Sequence, residues 1–225
     1  MSCTSYPAGV IPDPVLDRRA TPRQARARER VESILAAARR IIEEDGVEPL
    51  STQRIAKVAG IPVGSVYQFF PNKHSIVLEL AKRSLVPMND LVDRTSPAPA
   101  GEERWWSWWE GFIDGLIALW REDASGGAIW SACAGTPELF ARASELELEY
   151  ARGVAGRLSP LFPHDSVRVQ ERRAVILSRM IAFGLDCAWF GGSWDEDAAQ
   201  VVKRSAVATL AAEVGAARMA ATSRR

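Results

Sequence analysis

The sequence predicts an all-α protein in two parts, a small bundle of short helices followed by a larger bundle of long ones. Apolar residues recur at helical spacing through almost every long stretch, and none alternates with period two. The stretch "TSPAPAG", residues 95–101, separates a run of short periodic segments from a run of long ones. With 225 residues and 47% apolar content, the chain can bury a core in each part. The expected limits are an arm over residues 1–22, a first domain over 23–88 and a second over 89–225.

Composition narrows the function classes. Cys3, Cys133 and Cys187 are far apart, with no CxxC pair and an odd total. Free thiols in a reducing compartment are expected, not a disulfide framework or a zinc site. No metal or cofactor is implied. The start, "MSCTSYPAGVIPDP", has neither a basic n-region nor an apolar h-region, and no uncharged apolar run is long enough to span a bilayer. The expectation is a cytoplasmic protein with no membrane partner. Formal charge is zero overall but uneven: through Arg94, 14 Lys and Arg face 11 Asp and Glu, and from Thr95 onward 14 face 17. The first part is the end that favours a polyanion.

The elements follow in order. Residues 1–22 lack helical periodicity and lead into "RRATPRQARARER", an irregular basic arm. From about Arg23, Val31, Ile34, Leu35, Ala38, Ile41 and Ile42 form one apolar stripe, and Gly46 is a natural stop. Ser51 is a cap for a second helix that buries Ile55, Ala56 and Ala59. Gly60 breaks the chain, and Pro62 holds Ile61 extended and opens a third helix over about residues 63–70. That helix buries Val66 and one of Phe69 or Phe70. "PNK" introduces a fourth, with Ile76, Val77, Leu80 and Leu85.

Beyond residue 101, Trp105, Trp109, Phe112, Leu116, Leu119 and Trp120 lie near one face of a strongly amphipathic helix. "GGAIWSACAG" is a shorter segment. The next long helix opens with Thr136 as cap, Pro137 at the first helical position and Glu138 near the positive end of the dipole. "SPLFPHD" is a turn before another long helix. Ser193 and Glu196 are spaced as a capping box for a last helix, about residues 194–220.

Two short helices joined by a Gly-containing turn, over about residues 51–70, are the helix-turn-helix arrangement. Its third helix fits the major groove of double-stranded DNA, while the preceding one rests on the backbone. Thr52, at a helix start, has a hydroxyl and free N–H groups for a phosphate. Tyr67 offers a phenol and Lys73 a charge to phosphate oxygens. Ser65 and Gln68 can reach base edges, and Val63 and Gly64 are small enough for close approach. The basic arm is either solvated or lies against the same DNA.

The stretch "ILAAARRIIEEDGVEPLSTQRIAKVAGIPVGSVYQFFPNKHSIVLEL" resembles the DNA-binding domain of the tetracycline-repressor (TetR/AcrR) family of transcriptional regulators. Shared elements are Ile-Leu-x-Ala-Ala, Ile-Ala-x-x-Ala-Gly, Gly-Ser-Val-Tyr-x-x-Phe and Asn-Lys, over roughly residues 25–85. The resemblance implies that Ser65, Tyr67 and Gln68 lie on the recognition helix. It also makes Thr52, Tyr67 and Lys73 phosphate contacts and places Gln53 where some members touch a base. Pro62 departs from the pattern, standing where a capping Ser is common.

The resemblance also implies a helical C-terminal domain that holds a small-molecule effector and pairs with a second subunit. Six of the eight tryptophans fall between Trp105 and Trp130. An aromatic stripe at helical spacing is as a rule core. The alternative is a cavity lined by Trp105, Trp109, Phe112, Trp130 and Phe183, suited to an apolar, aromatic or cationic effector. Met180, Phe183, Gly184 and Cys187 form a stripe on the penultimate helix, and Val201, Ala208, Ala212 and Gly215 give the last helix small residues. These are the expected homodimer contacts, with packing within the chain as the competing explanation. A two-fold dimer suits a palindromic operator with half-sites about 34–36 Å apart. The expected function is a ligand-released repressor. GxGxxG, P-loop, HExxH and GxSxG patterns are absent, which argues against an enzyme. A helical small-molecule binder or adaptor, or a cryptic enzyme, that does not act on DNA is the alternative.

Overall fold

A computed structural model describes residues 25–95, 102–190 and 193–222. The basic arm expected over residues 1–22 lies outside them, as does most of "TSPAPAG". Helix α1 (Ala25–Asp45) buries its whole predicted stripe, and Gly46, at φ +78°, turns the chain out of it. Helix α2 (Thr52–Ala59) is capped by Ser51, whose Oγ accepts from the Arg54 N–H at 3.2 Å, and Arg54 is tied back to Asp45. Its end is a Schellman motif. Gly60, at φ +67°, donates to the Lys57 carbonyl while Ile61 donates to that of Ala56. The turn therefore needs the left-handed backbone that glycine adopts freely.

Helix α3 (Val63–Phe69) starts at Pro62 without a side-chain cap. Phe69 and Phe70 are both buried beside Val66. Helix α4 (Lys73–Arg94) opens on a capping box in which Asn72 Oδ1 accepts from the Ser75 N–H at 2.9 Å. It runs through Pro87 and past the expected domain limit at residue 88. The two parts thus share one helix: Ile76 to Ala81 pack in a first core, and Leu85, Met88 and Val92 in a second.

The second part holds α5 (Glu102–Glu122), α6 (Gly126–Ala134), α7 (Pro137–Leu158), a 3-10 turn (Ser159–Leu161), α8 (Val167–Cys187) and α9 (Glu196–Thr222). Two local expectations are corrected. Thr136 occupies the cap position of α7, but its hydroxyl makes no capping bond; Pro137 sets the first turn. Ser193 does not cap α9, because it belongs to a two-residue antiparallel ladder between β1 (Trp189–Phe190) and β2 (Ser193–Trp194). The cap is Asp195, whose Oδ1 accepts from the Ala198 N–H at 3.0 Å. A ladder this short leaves no alternation in the sequence.

The first core is not confined to the first part. Ile129 and Cys133 of α6, with Leu139 and Ala143 of α7, are buried in it. Helix α6 and the start of α7 are therefore where the second part plugs into the first.

Candidate nucleic-acid interface and effector cavity

The polar face of α2 and α3 comes together as the spacing predicts. Gln53, Val63, Gly64, Tyr67 and Gln68 are exposed, while Ser65 and Lys73 are half-buried. Thr52 is different. It is only 6% exposed, and its hydroxyl lies 2.9 Å from the Tyr67 hydroxyl. Its place is behind Tyr67, bracing a phenol that stands 39% exposed at the surface. Lys73 is the first residue of α4, next to the N–H groups its capping box leaves facing out.

A cavity of about 330 Å³ lies among α4, α5, α6, α7 and α8. Of the five residues expected to line it, Trp130 and Phe183 do so. Trp105, Trp109 and Phe112 lie outside its wall. Trp109 and Phe112 stack at 5.8 Å in the second core, and the Trp109 Nε1–H points at the Ala206 carbonyl of α9. The wall instead takes in Leu85, Met88, Trp120, Phe140, Tyr150 and, as its charged members, Glu147, Arg179 and Asp186. Asp186 carried a readable signal, a lone acid in the apolar run "IAFGLDCAWF". Nothing in the sequence marked which other residues converge.

Burial raises the Asp186 pKa, partly offset by the Trp120 Nε1–H that it accepts at 2.9 Å. Burial also pushes the Tyr150 phenol well above its ordinary value, against a hydrogen bond with Ser178, and the Cys133 thiol up to about 11.

A second hollow of about 420 Å³ lies on the other side of α6, between it and the first part, and Val47, Lys73 and His74 line it. Ser131 of α6 borders both. The turn before α6 is held to α1. Arg39 Nη1 donates to Asp123 Oδ1 at 2.6 Å and to Ser125 Oγ at 2.7 Å, and Ser125 donates in turn to Asp123 at 2.6 Å.

The expected dimer residues separate into two groups. Met180, Cys187, Val201, Ala208 and Ala212 are exposed. Gly184 is not part of that surface: a Cβ there would fall 2.8 Å from Val202 Cγ2, so its smallness serves the α8–α9 contact within the chain. Ile176, which the expected stripe did not include, joins the exposed row. Among the described residues, no helix is long and apolar enough to cross a membrane, and no group of three or more His, Cys, Asp or Glu is placed to hold a metal ion.

Residues 34–80 match the family model of bacterial regulatory proteins, tetR family. None of the curated proteins searched has a matching sequence. Solved structures share the fold over most of their length. A TetR-family transcriptional regulator from Streptomyces coelicolor is 22% identical, with a TM-score of 0.57 over 81% of this chain and 98% of that one. NalD, the secondary repressor of the MexAB-OprM multidrug efflux pump in Pseudomonas aeruginosa, is 22% identical, with a TM-score of 0.53 over 80% and 95%. RolR in complex with resorcinol is 15% identical, with a TM-score of 0.54 over 85% and 94%. Over residues 34–80, which hold the helix-turn-helix described above, the chain is thus similar to bacterial regulatory proteins of the tetR family, and over most of its length it shares the fold of these structures.

Proposed function

We propose that the protein is a ligand-responsive transcriptional regulator that binds a palindromic operator as a homodimer and is released by a small molecule in the α4–α8 cavity. The observation that carries this reading is the position of α6. Its residues Ile129 and Cys133 are buried in the core of the DNA-binding part, while Trp130, Ser131, Cys133 and Ala134 wall the cavity. A ligand that fills the cavity acts on a helix already inside the other domain's core. The hollow beyond α6 gives that helix room to shift toward Lys73, a proposed phosphate contact. Such a ligand works only through unequal affinity for the two arrangements. NalD is a repressor and RolR holds a small aromatic molecule, and both precedents agree with the reading.

In this reading α3 enters the major groove. Ser65 and Gln68 meet base edges, Val63 and Gly64 pack closely, and Gln53, Tyr67 and Lys73 meet the backbone or its flanking base. The test is binding to DNA upstream of the protein's own gene, across a salt series, beside a folded Tyr67→Ala/Lys73→Ala variant. Sequence-selective, steeply salt-dependent retention by the wild type, lost in the variant, is expected. Binding no better than to scrambled DNA, there and in a genome-wide selection, overturns it.

A further inference from the structure

We propose that the cavity selects an amphipathic organic cation, a protonated or quaternary amine on an apolar body, whose charge is met by Asp186. This deepens the reading of that cavity as the effector site and rests on it. The walls are mostly apolar and aromatic, and the charged groups among them are Glu147, Arg179 and Asp186. Glu147 is already matched: both its oxygens accept from Arg179, at 2.6 to 3.0 Å. Asp186 is not. Among the described residues its carboxylate accepts from the Trp120 indole alone, and no Lys or Arg pairs with it. The cavity therefore keeps one uncompensated negative charge.

Asp186 is half-buried, and a carboxylate partly withdrawn from water without a cation carries a cost that a counter-charge at contact distance relieves. A neutral ligand displaces water and leaves the charge stranded, and an anion adds repulsion. Trp120 and Trp130 supply indole rings, the aromatic faces that attract cations most strongly. Anchoring Trp120 does not by itself call for a charge, because an amide oxygen in the same place accepts the same N–H.

The location ties charge to signal. A Cβ on Gly127 would fall 2.7 Å from the Asp186 carboxyl carbon, so the carboxylate presses on the first turn of α6. Ser125 and Asp123, immediately before that turn, grip Arg39 of α1. Neutralising Asp186 thus acts within a few residues of the contact to the DNA-binding part.

The test uses the full-length protein and three probes of similar size, read by tryptophan fluorescence and calorimetry: benzyltrimethylammonium, neutral N-benzylacetamide and anionic 3-phenylpropanoate. The expected order is cation at least about tenfold tighter than the neutral probe, with the anion weakest. Asp186→Asn is expected to remove that preference and leave N-benzylacetamide within about twofold. Equal or tighter binding of the neutral or anionic probe overturns the proposal. So does an unchanged preference in Asp186→Asn, or no saturable cation binding at millimolar concentration. If the variant does not fold, the wild-type order decides alone. Operator retention measured on the same preparation separates the two readings. Selective DNA binding without cation preference removes only this inference. Asp186-dependent cation binding without DNA binding removes the regulator and leaves the site.

Discussion

Thr52 of α2 and Tyr67 of α3 share a hydrogen bond, 2.9 Å between their hydroxyl oxygens, that joins the two helices of the helix-turn-helix on the side facing outward. Thr52 is almost buried, so its hydroxyl holds the Tyr67 phenol in one orientation, and under the proposed function it would serve DNA only through Tyr67. Thr52→Val keeps the shape and removes the oxygen. Operator affinity is expected to fall about threefold to tenfold, with a stability loss of about 1 kcal/mol. Thr52→Ser restores most of both. In a cycle with Tyr67→Phe the two losses are less than additive. Wild-type affinity in a folded Thr52→Val protein would leave the bond with no part in DNA binding.

The Arg39–Asp123–Ser125 contact carries a pH signature. Burial alone raises the Asp123 pKa, but hydrogen bonds from Ser125 and Arg39 and the guanidinium charge outweigh it and hold the carboxyl below its ordinary value. A depressed folded-state pKa adds stability above the unfolded pKa of about 4, and that stability is lost as pH falls through the folded value. Asp123→Asn is expected to cost about 1 kcal/mol in urea unfolding, at constant difference from pH 7 down to about 5. The gap to wild type then closes below about pH 4. A gap that widens on acidification contradicts the assignment.

Asp186 carries the opposite sign. Its pKa is raised by burial, so its ionisation weakens the ligand-free fold above the folded pKa, and the penalty disappears below the ordinary carboxylate range. Glu147 and Arg179, which share the cavity, are paired with each other at 2.6 Å. Asp186→Asn is therefore expected to raise the thermal midpoint at pH 7 by about 2 °C, with the advantage shrinking toward pH 4. A lower midpoint at pH 7 would mean that the carboxylate is held by contacts an amide cannot replace.

What could be foreseen divides along a physical line. The stripe of α1, the Ser51 cap, the Gly60 break and the outward face of α3 depend on residues close in sequence, and each is where the pattern placed it. Thr52 was legible as a helix-start hydroxyl, but its burial depends on Tyr67, fifteen residues on. The cavity is assembled from five helices, so the tryptophan stripe could not say which rings face a void. Trp109 and Phe112 fill core, and Trp120 and Trp130 line the wall. Gly184 read as interface because a small residue on an exposed stripe looks the same whichever neighbour requires it.

Cys133 reports directly on the plug formed by α6. The thiol is buried between the first core and the cavity, and burial pushes its pKa up to about 11, so almost no thiolate exists at pH 8. A disulfide exchange reagent at pH 8 should consume the same number of thiols from native wild type and native Cys133→Ala. After unfolding, the variant should consume one fewer. Rapid native labelling of Cys133 would show that α6 leaves the core readily, contrary to its burial.

The exposed stripe on α8 gives the sharpest test of assembly. Ile176, Met180, Phe183 and Cys187 follow one another at helical spacing, and Ile176 and Phe183 stand 59% and 74% exposed. Four large or thiol side chains in one exposed row on a long helix are costly in water and suit burial against a second copy. Phe183 also lines the cavity, so its replacement confuses the two roles; Ile176 lines neither hollow. Ile176→Glu is expected to convert a sedimenting dimer to a monomer with little change in helicity. Operator affinity should then fall at least about a hundredfold, because one recognition helix loses the linked second half-site. Probe binding in the cavity should survive, since Ile176 is not part of its wall. A dimer that persists with Ile176→Glu moves the interface elsewhere, and a monomer that still binds the full operator as tightly as wild type breaks the link between pairing and DNA recognition.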